Sequence, residues 1–155
     1  MRITIVAVGK CRAGPDRDLF EDYRQRLKWP VTVREVEEHR KVPPAQLMAR
    51  EGELLVAALP KPSADLVAVA LDQRGKALSS EQFANHVRQW RDRGIQDLAF
   101  IIGGADGLSK AVLERATLAL SLGPMTWPHM FVRAMLAEQL YRTQQILLGH
   151  PYHRA

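Results

Sequence analysis

Short β-branched runs alternate with longer helical periods along the whole chain. The run Arg2 to Val8 is apolar, stops at Gly9 and predicts a buried strand. Behind Pro15, the stretch Asp16 to Leu27 places Leu19, Phe20, Tyr23 and Leu27 at helical spacing. Val31 to Val36 alternates like a half-buried strand, a charged loop with two prolines follows, and Ala45 to Ala58 reads as a helix that stops before Pro60. Asp65 to Leu71 (DLVAVAL) predicts another buried strand, with DQRGK as the loop after it. Ser79 to Trp90 has the pattern of a helix with a capping box, since Gln82 stands three residues after Ser79. Leu98 to Ile102 is a strand ending in Gly103-Gly104. Ser109 to Arg115 is a short helix with Ser109 as its cap, and Thr117 to Leu122 is a short strand. Phe131 to Leu147 is a long helix.

Strands that alternate with helices imply an α/β fold, with a mostly parallel sheet flanked by helices. Ligands of such sheets bind beyond the C-terminal ends of the strands. Three loops are thereby singled out: Asp72 to Lys76, Gly103 to Leu108, and Leu122 to Pro128. The long last helix has apolar residues on more than one face, among them Phe131, Met135, Leu136, Leu140, Ile146 and Leu147. One face can cover the sheet while another meets a partner subunit.

Composition narrows the class. At 155 residues the chain fits one domain, with a core large enough to need no disulfide or metal staple. Its single cysteine, Cys11, cannot form an internal disulfide, which suits a reducing compartment. The apolar start is too short for a signal peptide, and no stretch approaches the roughly 20 apolar residues of a membrane span. The expectation is a soluble cytoplasmic protein without membrane contact. A net charge of +5 favours polyanions such as nucleic acid, although 17 acidic residues are interspersed with 22 basic ones.

Three segments carry candidate chemistry. In IIGGADGLS (Ile101 to Ser109) a strand runs into three glycines and a capped helix, so backbone N–H groups can approach a ligand. The spacing is neither a dinucleotide fingerprint nor a P-loop, and a plain strand-to-helix turn is the competing reading. In SLGPMTWPHMFVR (Ser121 to Arg133) two prolines stiffen a loop of small residues, which suits the edge of a flat base. Trp127 in it could stack on a ligand or pack. The tail HPYHRA gathers His150, Tyr152, His153 and Arg154, groups able to stack on bases, bind phosphate or move protons; a solvated polar tail is the competing reading. No zinc-type Cys/His spacing and no hydrolase elbow is present. His86 has no second ligand at i+4, and Asp72 is as well explained as a turn residue.

Taken together, VAVGK, VALDQRGK, FIIGGADGLS, LSLGPMTWPHMFVRAMLAEQLYR and the terminal HPYHR resemble the RlmH family over essentially the whole chain. These are SPOUT-class methyltransferases acting on a pseudouridine of large-subunit ribosomal RNA. The resemblance implies a single SPOUT methyltransferase domain over residues 1–155. Its α/β fold would be knotted, with a deep C-terminal trefoil where the pattern alone offers an open doubly wound sheet. It implies S-adenosylmethionine as methyl donor, no metal, N3-methylated pseudouridine in 23S rRNA as product, and a homodimer. By motif, the cofactor positions are Leu71, Gly103, Leu122, Gly123, Pro124, Met125, Thr126 and Trp127. The RNA-facing end is Tyr152, His153 and Arg154.

Methyl transfer from a sulfonium is an in-line displacement, and the N3 imide must lose its proton for efficient attack. His153 or a carboxylate such as Glu138 is the expected acceptor. Arg154 and Arg133 are expected at the developing enolate oxygen or a phosphate. In the expected dimer, the tail of one subunit reaches the cofactor pocket of the other. A chain this small has no separate RNA-binding domain, so the assembled ribosome should supply much of the recognition. Two alternatives stay open here: a SPOUT-like enzyme for another RNA base, and a ribosome-associated binding protein without catalysis.

Overall fold

The computed structural model describes residues 1–154; Ala155, the last residue of the tail, lies outside them. Five strands and five helices follow one another as β1 (Arg2–Val8), α1 (Pro15–Arg26), β2 (Val31–Val36), α2 (Pro44–Ala58) and β3 (Leu66–Ala77). They continue as α3 (Ser80–Asp92), β4 (Asp97–Ile102), α4 (Lys110–Arg115), β5 (Leu118–Ser121) and α5 (His129–Leu147). All strand pairings are parallel, in the order β2-β1-β4-β3-β5. The sheet is therefore parallel as expected, and β4 slots in between β1 and β3.

Side chains on successive strand residues point to opposite faces, and this divides the core in two. Ile3, Ile5, Val67, Val69, Leu98, Phe100 and Ile102 face α1, α3 and α5, meeting Phe20, Phe83, Val87, Leu136 and Leu140. Val6, Val8, Ala68, Ala70, Ala99 and Ile101 face α2 and α4, meeting Leu55, Leu59 and Val112. Burial on both faces explains why these strands read as nearly continuous apolar runs. The expected caps form. Ser79 accepts the Gln82 N–H while the Gln82 side chain accepts the Ser79 N–H, a box that stabilises α3 by about 1 kcal/mol. Ser109 accepts the Val112 N–H at the start of α4.

One segment departs from expectation. DQRGK is not a loop that ends the strand, because β3 resumes and continues to Ala77. Leu71 and Lys76 are both in register with Leu120 of β5, so residues 72–75 bulge out of the ladder between them. An apolar run shows where a strand is buried; it cannot show that the strand is taken up again by a neighbour contributed much later in the chain.

Candidate active site

The parallel sheet puts the C-terminal ends of β3, β4 and β5 on one edge, and the three loops singled out in the sequence meet there. They enclose a cavity of about 1070 Å³. Its walls include Leu71 and the β3 bulge after it as far as Arg74, the glycine turn after β4, and the loop between β5 and α5. Of the eight residues expected to hold a cofactor, Leu71, Gly103, Leu122, Gly123, Met125, Thr126 and Trp127 line this cavity. Pro124 does not; it is exposed, within the same loop.

Local chemistry fixes each wall. Asp72 accepts hydrogen bonds from the Arg74 backbone N–H at 2.8 Å and from its guanidinium, which holds the carboxyl below its usual range. Asp72 is thus the turn residue of the bulge. Gly103 permits the close fold of the second wall, since a Cβ there would stand 2.9 Å from the Gly107 carbonyl oxygen and from Leu108 Cδ2. In the third wall, the Ser121 hydroxyl lies 3.1 Å from the Gln73 and Gly123 carbonyl oxygens. The Thr126 hydroxyl meets the Gln73 side chain at 3.4 Å, so bulge and loop brace one another. Trp127 donates to the Leu122 carbonyl at 3.4 Å and tilts against Phe131, yet stays 38% exposed: it packs and still offers ring surface.

The tail folds back on its own chain. Tyr152 donates to Glu138 at 3.0 Å and packs edge-on against Tyr141 at 4.8 Å, with the Arg142 guanidinium 5.0 Å from its ring. His153 lies between Glu81 of α3 at 2.5 Å and Arg142 of α5 at 3.2 Å. The histidine beside it holds the Glu81 carboxyl down at about 2. Burial, with Tyr23 and Glu138 alongside, pushes the Tyr152 phenol far above its ordinary value, so it stays protonated. Glu138, Tyr152 and His153 therefore form one cluster, and Arg154 is exposed beyond it. None of these four lines the cavity described above. A second, more apolar groove of about 580 Å³ lies nearer, lined by Leu19, Tyr23, Phe83, Phe131, Met135 and Glu138 among others. It shares Leu120, Leu122 and Gly123 with the first.

Arg133 corrects one expectation. It is 2% exposed, pairs with Glu35 of β2 at 2.5 Å, and donates to the Val8 and Gly9 carbonyls at 3.0 and 2.6 Å. Burial alone would raise Glu35, but the Cys11 N–H and this guanidinium hold its carboxyl below the usual range. Arg133 is thus committed to pinning the first turn of α5 onto the end of β1 and is not free to meet an oxyanion. His86 packs its ring against Trp90 at 5.6 Å, as an ordinary helix histidine does.

Two residues were passed over in the sequence. His129 opens α5 and lines the cavity. Its signal was the Pro-His pair at a helix start, hidden by the more conspicuous tail. Glu51 of α2 is buried beneath the glycine turn, where a Cβ on Gly104 would come within 3.0 Å of its Oε2. Burial, with Asp106 nearby, pushes this carboxyl up. Nothing in a helical stretch such as AREGELL marks it as lying under a loop. Among the described residues, no three His, Cys, Asp or Glu side chains gather as a metal site would require. No helix among them is long and apolar enough to cross a membrane.

Comparison with known proteins identifies the family and the fold. The chain is 59% identical over 155 residues to the ribosomal RNA large subunit methyltransferase H of Rhodospirillum centenum, covering all of both chains. It is 57% identical over 154 residues to the protein of the same name from Paramagnetospirillum magneticum, covering 99% of each. A probable methylase family protein from Haemophilus influenzae Rd KW20 shares the fold with a TM-score of 0.56 at 13% identity, over 99% of this chain and 70% of that one. The family described as predicted SPOUT methyltransferase matches residues 1–153, and the chain belongs to that family.

Proposed function

We propose that the protein transfers a methyl group from S-adenosylmethionine to N3 of a pseudouridine in 23S ribosomal RNA, on the assembled ribosome. The observation that carries this reading is the meeting of three strand-end loops around one cavity, with seven of the eight anticipated cofactor residues in its wall. The full-length relatives named as large-subunit rRNA methyltransferases support the substrate class.

The cavity residues fit a nucleoside sulfonium. Leu71, Ile102, Leu122 and Val132 give apolar surface for a flat base, and the glycine turn and the Gly123 loop bring backbone groups to its rim. Leu71, Gly103, Leu122, Gly123, Met125, Thr126 and Trp127 would hold the donor, with Pro124 stiffening their loop. Bound there, the donor supplies an electrophilic methyl group. The protein's part is to align it with the attacking nitrogen and to exclude water. The trefoil threading of the C-terminal segment belongs to the same reading.

In this reading Tyr152, His153 and Arg154 meet the RNA and the charge that develops on the base, while Glu138 anchors the tail. Within one chain, the tail cluster and the cavity wall are separate groups of residues. A homodimer in which one subunit's tail serves the partner's cavity would bring the two together. The apolar groove beside the tail, with Phe131 and Met135 only half-buried, supports such a partner.

The test is methyl transfer from labelled donor to assembled ribosomes and to free subunits, with the modified base identified by mass spectrometry. Wild-type protein should label one pseudouridine on the assembled particle. Gly103→Val should abolish the calorimetric heat of donor binding. Unchanged methyl transfer and RNA affinity in both His153→Ala and Arg154→Ala would rule out the role given to the tail.

A further inference from the structure

We propose that His129 takes the N3 proton from the target base, a role that rests on the methyl-transfer reading above. His129 is the first residue of the 19-residue helix α5 and lines the cavity alongside the donor-binding loops. Its position is built, not incidental. Gly9 ends β1 with φ +86, and a Cβ there would stand 3.5 Å from His129 Nε2 and 2.9 Å from Met130 Cε. The missing side chain leaves room for the Met130 methyl, and the imidazole packs at contact distance beside the same glycine. One turn along α5, Arg133 fastens the helix start to Val8, Gly9 and Glu35. The ring is therefore presented by a fixed backbone on both sides.

The chemistry of the neighbours favours the same group. Burial, reinforced by the Arg133 cation, holds the imidazole below its ordinary value of 6.5, so it is neutral with a free lone pair at physiological pH. The other titratable groups facing the cavity are less suited. Asp72 and Arg74 of the β3 bulge are paired with each other. Asp106 of the glycine turn is exposed, and Lys110 of α4 reaches towards Glu114. Glu35 of β2, behind Arg133 and outside the cavity wall, is engaged by that guanidinium. Outside the cavity wall, Glu138 of α5 is held by Arg142 and Tyr152, and both ring nitrogens of His153 in the tail are engaged.

The step balances. The N3–H bond breaks towards an imidazole nitrogen, and the N3 electron pair forms the bond to the methyl carbon. The carbon–sulfur bond breaks with its pair left on sulfur. One positive charge disappears from the sulfonium as one appears on the imidazolium, so the cavity carries the same net charge before and after. A neutral base beside a cationic donor avoids having to separate opposite charges in a partly buried site.

The experiment pairs His129→Asn and His129→Ala with two readouts. In methyl transfer to ribosomes, both variants should lose about a hundredfold to ten-thousandfold in kcat, with the calorimetric affinity for S-adenosylmethionine within about threefold of wild type. Wild-type turnover should fall as pH drops through the His129 titration, and residual turnover in the variants should lack that limb. Independently of turnover, the His129 ring proton resonance, assigned by its loss in His129→Asn, should titrate below 6.5. Cationic S-adenosylmethionine should lower that midpoint further, and neutral S-adenosylhomocysteine should not. Turnover within threefold of wild type in both variants, loss of donor binding in both, or a midpoint at or above 6.5 that ignores the donor's charge would each overturn the assignment. Wild-type protein that methylates no pseudouridine would instead overturn the enclosing function, a result the same assay distinguishes.

Discussion

Replacing Arg133 with alanine leaves Glu35 beside an empty space and frees two backbone carbonyls at the end of β1. Removing one partner of a buried ion pair costs several kcal/mol, because the surviving charge is left without compensation. Glu35 is 30% exposed, so water can partly re-solvate it. Urea unfolding of Arg133→Ala should therefore show a loss of about 3 kcal/mol, near the lower end of that range. Arg133→Met, which keeps the bulk of the side chain, should lose less. A stability change below about 0.5 kcal/mol, the usual scatter of surface substitutions, would contradict the pinning role.

At the scale of the elements, the tail is fastened to the helices through side chains of two residues. Its contacts are one hydrogen-bonded histidine, one tyrosine and their partners on α3 and α5. Glu81 has its carboxyl depressed in the folded state, so its contribution is present above the ordinary value of 4.5 and is lost as pH falls towards about 2. Acid should release the tail through that window. At neutral pH, Glu81→Gln should make the last residues more susceptible to carboxypeptidase, with the thermal midpoint of the core nearly unchanged. Equal digestion rates for the variant and wild type would show that this contact does not hold the tail. A tail fastened through a few side chains can exchange its own helices for an RNA or a partner subunit at small cost.

For the whole molecule, the proposed dimer would seat the second copy in the groove between α1, α3 and α5. Leu19 is 40% exposed at its mouth. Wild-type protein should sediment as a dimer at micromolar concentration. Leu19→Asp together with Met135→Asp should sediment as a monomer and lose methyl transfer. Donor binding should be retained if each chain carries its own cavity. A monomeric wild type that transfers methyl groups at full rate would contradict the shared-tail arrangement.

Much of this was legible in the amino-acid order alone. The strands and helices are there because apolar period and capping chemistry are local: Arg2–Val8 and Val31–Val36 occur with the expected bounds, and Ser79 and Ser109 cap the helices they precede. The glycine turn and the proline loop could be placed at strand ends for the same reason, and the general rule for parallel sheets then made them a candidate site. Tertiary structure decided everything that depends on which segments become neighbours. It inserted β4 between β1 and β3, resumed β3 beyond its bulge, and buried Arg133 against a carboxylate 98 positions away. It also lodged the Tyr152 and His153 side chains against α3 and α5, and placed His129, inconspicuous in the sequence, in the wall of the cavity. Local propensity reports only on residues within a turn or two of one another. The partners of a buried charge, the register of a distant strand and the lining of a cavity are fixed by packing, which the linear order determines but does not display.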